Sequence, residues 1–99
     1  MRKHFLLIYY YAPDYIERRT EFRSLHLTLA AAASEAGDLI IGGALTDPFD
    51  TGLLLFHSID KSTAEAFAAS DPYVTNGLVE RFEVRHWATV AGPLAAEPI

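Results

Sequence analysis

Ninety-nine residues, 51% of them hydrophobic, suffice for one compact core and are too few for two, so the chain reads as a single domain. Thirteen acidic against eight basic side chains give a net charge of −5, the wrong sign for binding nucleic acid or an anionic membrane surface. Cysteine is absent, which excludes disulfides, thiolate nucleophiles and cysteine-ligated metal centres, and fits a cytoplasmic protein.

The opening Arg2-Lys3 before the apolar stretch Phe5 to Ala12 imitates a secretory signal. The stretch is short and aromatic, with no Ala-x-Ala site after it, so it is read as a core strand. Phe5 to Tyr11, ended by Pro13, is therefore strand one. From Asp14 to Ala36 apolar residues recur at the helical period, at Phe22, Leu25, Leu29, Ala32 and Ala36, and Gly37 is placed to end that helix. Leu39 to Leu45 is a second strand, the Asp-Pro-Gly-containing stretch after it a turn, and Leu53 to Ile59 a hairpin partner. Asp60, Ser62 or Thr63 caps a second helix through Ala64, Phe67 and Ala68, which Asp71-Pro72 interrupts. After a turn at Asn76-Gly77, Arg81 to Val90 alternates as a fourth strand, closing a domain of residues 1–91. Residues 92–99 form a Pro/Ala-rich tail, expected to be mobile unless something holds it.

This order predicts an α+β, ferredoxin-like βαββαβ fold: a four-stranded antiparallel sheet with two helices on one face. A one-sided sheet should alternate apolar with polar, yet Phe5, Leu7, Tyr9 and Tyr11 point one way while Leu6, Ile8 and Tyr10 point the other. Strand three repeats this with Leu53 and Leu55 against Leu54 and Phe56. Two helices cover one face, so the other needs a cover. A second copy of the sheet is the simplest, giving a homodimer that buries about 1,600 Å² or more.

His26 is the residue of helix one that a plain scaffold helix does not need. It lies roughly 80° from the centre of the apolar stripe, at the edge of the buried face, where it can line a cleft. Arg23 and Arg19, three and seven residues earlier, come near its side of the helix. A neutral imidazole accepts a proton, and a carboxylate on its other nitrogen fixes the tautomer. Asp71 is the candidate carboxylate, although Asp-Pro can equally be a simple helix stop. Tyr73 is either a pocket hydroxyl or an aromatic packing residue, and Arg19 and Arg23 either meet a substrate anion or form a solvated face. His4, His57 and His86 lack metal-ligand spacing, so no metal is expected. Tyr9, Tyr10 and Tyr11 read first as core or interface, and Gly42-Gly43 as a strand feature because no helix follows to make a phosphate loop.

Arg23-x-x-His26-Leu27, Gly37-Asp38-Leu39, Gly42-Gly43, Asp71-Pro72-Tyr73 and Gly77-Leu78 before a final Phe82-Glu83-Val84-Arg85-His86-Trp87 strand together resemble the YCII-related domain family over nearly the whole chain. The resemblance implies a dimeric α/β barrel, with His26 and Asp71 matching the family's active-site pair. It also implies kinship with a member that eliminates chloride from a chlorinated hydroxyhydroquinone. The stretch from Gly42 to Asp50 departs from the Gly-Pro that relatives often carry there.

The expected function is that of a small cofactor-independent enzyme, a lyase or isomerase of dehydrochlorinase-like type, acting on a small cyclic or phenolic molecule. His26 is its general base, Asp71 the orienter, and Arg23, Arg19 and Tyr73 meet the substrate. The alternative is a non-catalytic domain whose cleft holds a ligand or a partner chain. Turnover separates the two.

Overall fold

The computed structural model describes all 99 residues. Strand β1 (Lys3–Tyr11) leads into helix α1 (Tyr15–Glu35), followed by β2 (Leu39–Ala44), β3 (Thr51–Ser58), α2 (Ser62–Ser70), the one-turn α3 (Pro72–Thr75) and β4 (Val79–Trp87). The four strands form one sheet in the order β2-β3-β1-β4, every neighbouring pair antiparallel. This is the expected ferredoxin-like arrangement with one more turn of helix.

The core lies between sheet and helices. Phe5, Leu7, Tyr9, Leu54, Phe56 and Val84 come from the sheet and pack with Tyr15, Ala64, Phe67, Ala68, Tyr73 and Leu78. β3 alternates strictly, with Gly52, Leu54, Phe56 and Ser58 buried and the residues between them half-exposed. Phe5, Leu7 and Tyr9 are buried on the helix side of β1, while Leu6, Ile8 and Tyr10 on the opposite face are half-buried. No helix is long and apolar enough to cross a membrane.

Local chemistry explains the joints. Gly37, at φ +82°, closes α1 in a Schellman turn: its N–H donates to the Ser34 carbonyl and the Asp38 N–H to that of Ala33, both at 3.0 Å. The Asp60 carboxylate accepts from the Ser62 hydroxyl and from the backbone N–H of Ser62 at 2.9 Å, opening α2, and these two bonds hold the carboxyl below its usual range. Gly52 sits so close under the Tyr11 ring that an added Cβ would collide with the phenolic oxygen. Glycine is needed there for approach rather than for an unusual φ.

Three expectations need correction. The inward face of α1 runs through Tyr15, Phe22, His26, Leu29, Ala30 and Ala33, whereas Leu25 is 61% exposed and Ala32 and Ala36 are also exposed. His26 is thus on the inward face itself. The buried aromatic Tyr15 and the contact of His26 with Asp71 set the helix rotation, against the pull of Leu25. Second, β4 ends at Trp87, before the expected Val90, because Thr89 is engaged elsewhere. Third, the tail is tied down: the Thr89 hydroxyl pairs with His4 Nδ1 (2.7 Å) and accepts from Ala96 N–H (2.9 Å), the Glu97 N–H donates to the Thr89 carbonyl (3.0 Å), and the Glu97 carboxylate meets His86 Nε2 (2.5 Å). Periodicity registers none of these bonds, since each joins single groups that lie well apart along the chain.

Candidate active site

Proline 72 ends α2 by holding Asp71 in an extended conformation (φ −74°, ψ 124°), and Asp71 then caps α3 by accepting the Tyr73 N–H on Oδ1 at 3.0 Å. The helix stop and the positioned carboxylate are the same device. Turned inward by the cap, the fully buried Asp71 side chain meets two more groups. The Tyr9 hydroxyl donates to Oδ2 at 2.7 Å, and His26 Nδ1 lies 3.0 and 2.9 Å from Oδ1 and Oδ2. An ionised carboxylate is acceptor-only, so the proton in the His26 contact belongs to Nδ1, and in the neutral form of the ring the lone pair is then on Nε2.

The His26 side chain is 15% exposed and stands at the wall of a cavity of about 300 Å³. Tyr73 stacks on the imidazole with centroids 4.0 Å apart and planes 8° apart, and Tyr15 meets the Tyr73 ring edge-on. Tyr11 stacks on Tyr15 at 3.7 Å. Gly42, Gly43 and Ala44 of β2 supply a thin wall with almost no side chain, so the space between β2 and α1 stays open.

Three arginines on α1 divide by role. Arg18 lies 3.8 Å from the Asp14 carboxylate and donates to the Asn76 carbonyl at 2.9 Å, stitching α1 to the end of α3. Arg19 and Arg23 line the cavity and have no carboxylate partner. The Arg19 guanidinium sits 5.3 Å from the centre of the Phe49 ring and 5.9 Å from that of Tyr15.

Burial pushes the Tyr9 hydroxyl far above its ordinary range, with the Asp71 charge adding to it, so Tyr9 remains a donor. Burial likewise raises Tyr11, joined by its contact with Tyr15. Tyr73 is raised by burial and by Tyr15, against the nearby Arg23 charge. The structure thus gathers His26, Asp71, Arg23, Arg19 and Tyr73 at one cavity or directly behind it. Sequence reading did not include Tyr9, Tyr11, Tyr15 or Phe49. Alternation gives the face of Tyr9 and Tyr11 but not what they meet, and Phe49 belongs to a loop without any period. His4 and His57, with ring centroids 5.3 Å apart, lie apart from this site, and no cluster of three or more His, Asp or Glu side chains is arranged to hold a metal ion.

The model of the YCII-related domain matches residues 3–88. Among solved structures, 5-chloro-2-hydroxyhydroquinone dehydrochlorinase from Burkholderia phenoliruptrix AC1100, in complex with 2,5-dihydroxybenzoquinone, is similar at a TM-score of 0.71. The likeness covers 85% of this chain and 92% of that one at 17% sequence identity, and it is a likeness of fold. No curated protein matches the chain.

Proposed function

The chain belongs to the YCII-related domain family, and from that premise we propose that it is a small cofactor-independent enzyme. It abstracts a proton from a small cyclic or phenolic molecule, with elimination or isomerisation following. The observation that carries this reading is the contact of His26 Nδ1 with both oxygens of the buried Asp71 at the wall of a cavity. His26 Nε2 takes the proton, and the Asp71 charge stabilises the resulting imidazolium while holding the ring in the productive tautomer. Tyr9 and the Tyr73 N–H keep the carboxylate from turning. Arg23 and Arg19, free of carboxylate partners, face the anion that forms, and Tyr73 closes the pocket against the base. A positioned base contributes roughly 10²–10⁴ in rate, sufficient for an already activated substrate. The dehydrochlorinase name of the structural neighbour supports elimination as the first reaction to try.

The test is incubation with a panel of chlorinated hydroxyhydroquinones, following chloride release and product mass. Turnover that disappears in His26→Gln is the expected result. A compound that binds and is returned unchanged would sink the enzyme reading in favour of a ligand-binding or accessory domain.

The protein also acts, in this proposal, as a homodimer. On the open face of the sheet Leu6, Leu53, Leu55, Ile41 and Trp87 line an apolar groove of about 410 Å³, with Ile41 68% and Trp87 48% exposed. Light scattering at micromolar concentration is expected to report twice the chain mass. A well-behaved monomer would overturn the face-to-face dimer.

A further inference from the structure

Arg19 is framed by aromatic rings rather than by acceptors. Its guanidinium lies 5.3 Å from the centre of the Phe49 ring and 5.9 Å from that of Tyr15, and all three residues line the cavity. Arg2 and Arg18 donate to carbonyl oxygens and lie beside carboxylates, whereas Arg19 makes no hydrogen bond within the protein and meets no carboxylate. A guanidinium carries five N–H donors in a planar fork. Ring faces engage its charge and leave those donors unused. The side chain is half-buried, so a ligand in the cavity can reach it.

A run of contacts along the cavity wall separates Arg19 from His26. Tyr73 stacks on His26 at 4.0 Å, Tyr15 meets Tyr73 edge-on at 5.7 Å, and Arg19 lies over Tyr15. Seven positions of α1 part the two residues, about 10 Å along the helix axis. Arg23 stands between them, close enough to Tyr73 for its charge to oppose the effect of burial on that phenol. The charge that forms when His26 takes a proton begins at the acidic carbon, so Arg23 is the nearer cation to it. Arg19 is placed for a group at the other end of the ligand.

We infer that Arg19 binds a carboxylate which the substrate carries throughout the reaction, and that the substrate class is a ring carboxylic acid with its acidic C–H across the ring from that carboxylate. This rests on His26 being the base. The planar fork matches the two oxygens of a carboxylate, and a cavity of about 300 Å³ accommodates a single substituted ring. Phe49 and Tyr15 exclude water from the flanks of the guanidinium, which strengthens its attraction for an anion. No bond of the carboxylate is made or broken. Its binding orients the ring so that the C–H faces His26 Nε2.

The experiment uses benzoate and benzamide, which differ in charge and hardly in shape. Each is titrated at equilibrium into wild type, Arg19→Met and Arg19→Lys, at about 0.15 M salt to screen the other surface charges. Wild type is expected to bind benzoate about 10-fold or more tighter than benzamide. Arg19→Met should lose that preference while its benzamide affinity stays within about threefold of wild type. Arg19→Lys should recover only part of it, because an ammonium is a point charge without the fork. No benzoate binding by wild type, equal affinity for the two probes, or an Arg19→Met loss shared by benzamide would each overturn the carboxylate site. Phenyl phosphate binding more tightly than benzoate would overturn the choice of carboxylate. Turnover distinguishes this site from the base assignment. Benzoate preference lost in Arg19→Met, in a protein that turns nothing over, removes the base and keeps the carboxylate site. Turnover that disappears in His26→Gln, with benzoate affinity unchanged in Arg19→Met, keeps the base and removes the site.

Discussion

The two faces of the sheet are built from the same strands and carry different chemistry. On the helix side, β1 and β3 look into a cavity whose walls include four tyrosines, two arginines without carboxylate partners and a histidine. On the open side, the same strands offer leucines, with Ile41 and Trp87, around a groove of comparable size whose lining side chains are almost all apolar. Gly42, Gly43 and Ala44 border both spaces. A cavity with convergent polar groups discriminates among small molecules, because each group requires a partner of defined position. A flat apolar face selects by area and shape, which suits another protein surface.

The largest effect should come from breaking the polar face at its centre. Asp71→Ala strands the Tyr9 hydroxyl, the Tyr73 N–H and the His26 ring in the interior, at an expected cost of about 3–5 kcal/mol in denaturant unfolding. Asp71→Asn keeps the turn and the cap but removes the charge behind the histidine. Turnover should then fall by roughly 10²–10⁴, with a much smaller change in stability. The double variant with His26→Gln should be hardly slower than His26→Gln alone, as for residues acting as one unit. Additive losses would mean that Asp71 is only a helix cap.

On the open face the matching change is Leu55→Asp. If the open face is the dimer interface proposed above, a charge at its centre should weaken dimerisation by about 30-fold or more, equivalent to about 2 kcal/mol, as read by light scattering across a dilution series. Turnover per chain should survive if the two faces are independent. A parallel loss of activity would show that the wall at Gly42 and Gly43 couples them.

Tyr9→Phe sharpens the polar side, since it removes one hydrogen bond to Asp71 and leaves the aromatic packing in place. An expected loss of about 1.5 kcal/mol in stability should accompany a drop in kcat with KM little changed, because Tyr9 acts through Asp71. A change confined to stability would reduce Tyr9 to a core residue.

The smallest effect concerns the end of the sheet, where burial and the neighbouring His57 hold the His4 imidazole below its ordinary value of 6.5, with Glu97 opposing them. The unfolded chain takes up that proton first. The contribution of neutral His4 is therefore complete above the ordinary value and declines as pH falls below it. His4→Asn should flatten the acid side of the unfolding-midpoint profile between pH 7 and about 5. An unchanged profile would show that His4 and the tail are not linked to stability.

Much of this molecule was legible in order and period. Apolar runs bounded by turn residues located β1 and β3, Gly37 marked the end of α1, and Asp71-Pro72 marked the break after α2. The rotation of α1 was less legible. Leu25 and Ala32 fit a helical stripe as well as Tyr15 and Ala33 do, and periodicity cannot weigh a buried polar contact against an apolar one. The site was half legible: His26 and Asp71 stood out as residues a scaffold does not need, whereas Tyr9 was hidden among three tyrosines with no local mark to separate it from its neighbours.

Sequence alone determined which segments become strands and helices, because alternation, caps and turn residues act over a few positions along the chain. It determined the excess of apolar surface too, since the composition of β1 and β3 leaves neither face of the sheet polar. The tertiary structure alone decided that the Asp71 cap closes over His26 and Tyr9, residues 45 and 62 positions away. It also decided that Thr89 and Glu97 fasten the tail to His4 and His86. Such bonds depend on where whole elements come to rest against one another, and packing sets that position through contacts that no local pattern encodes.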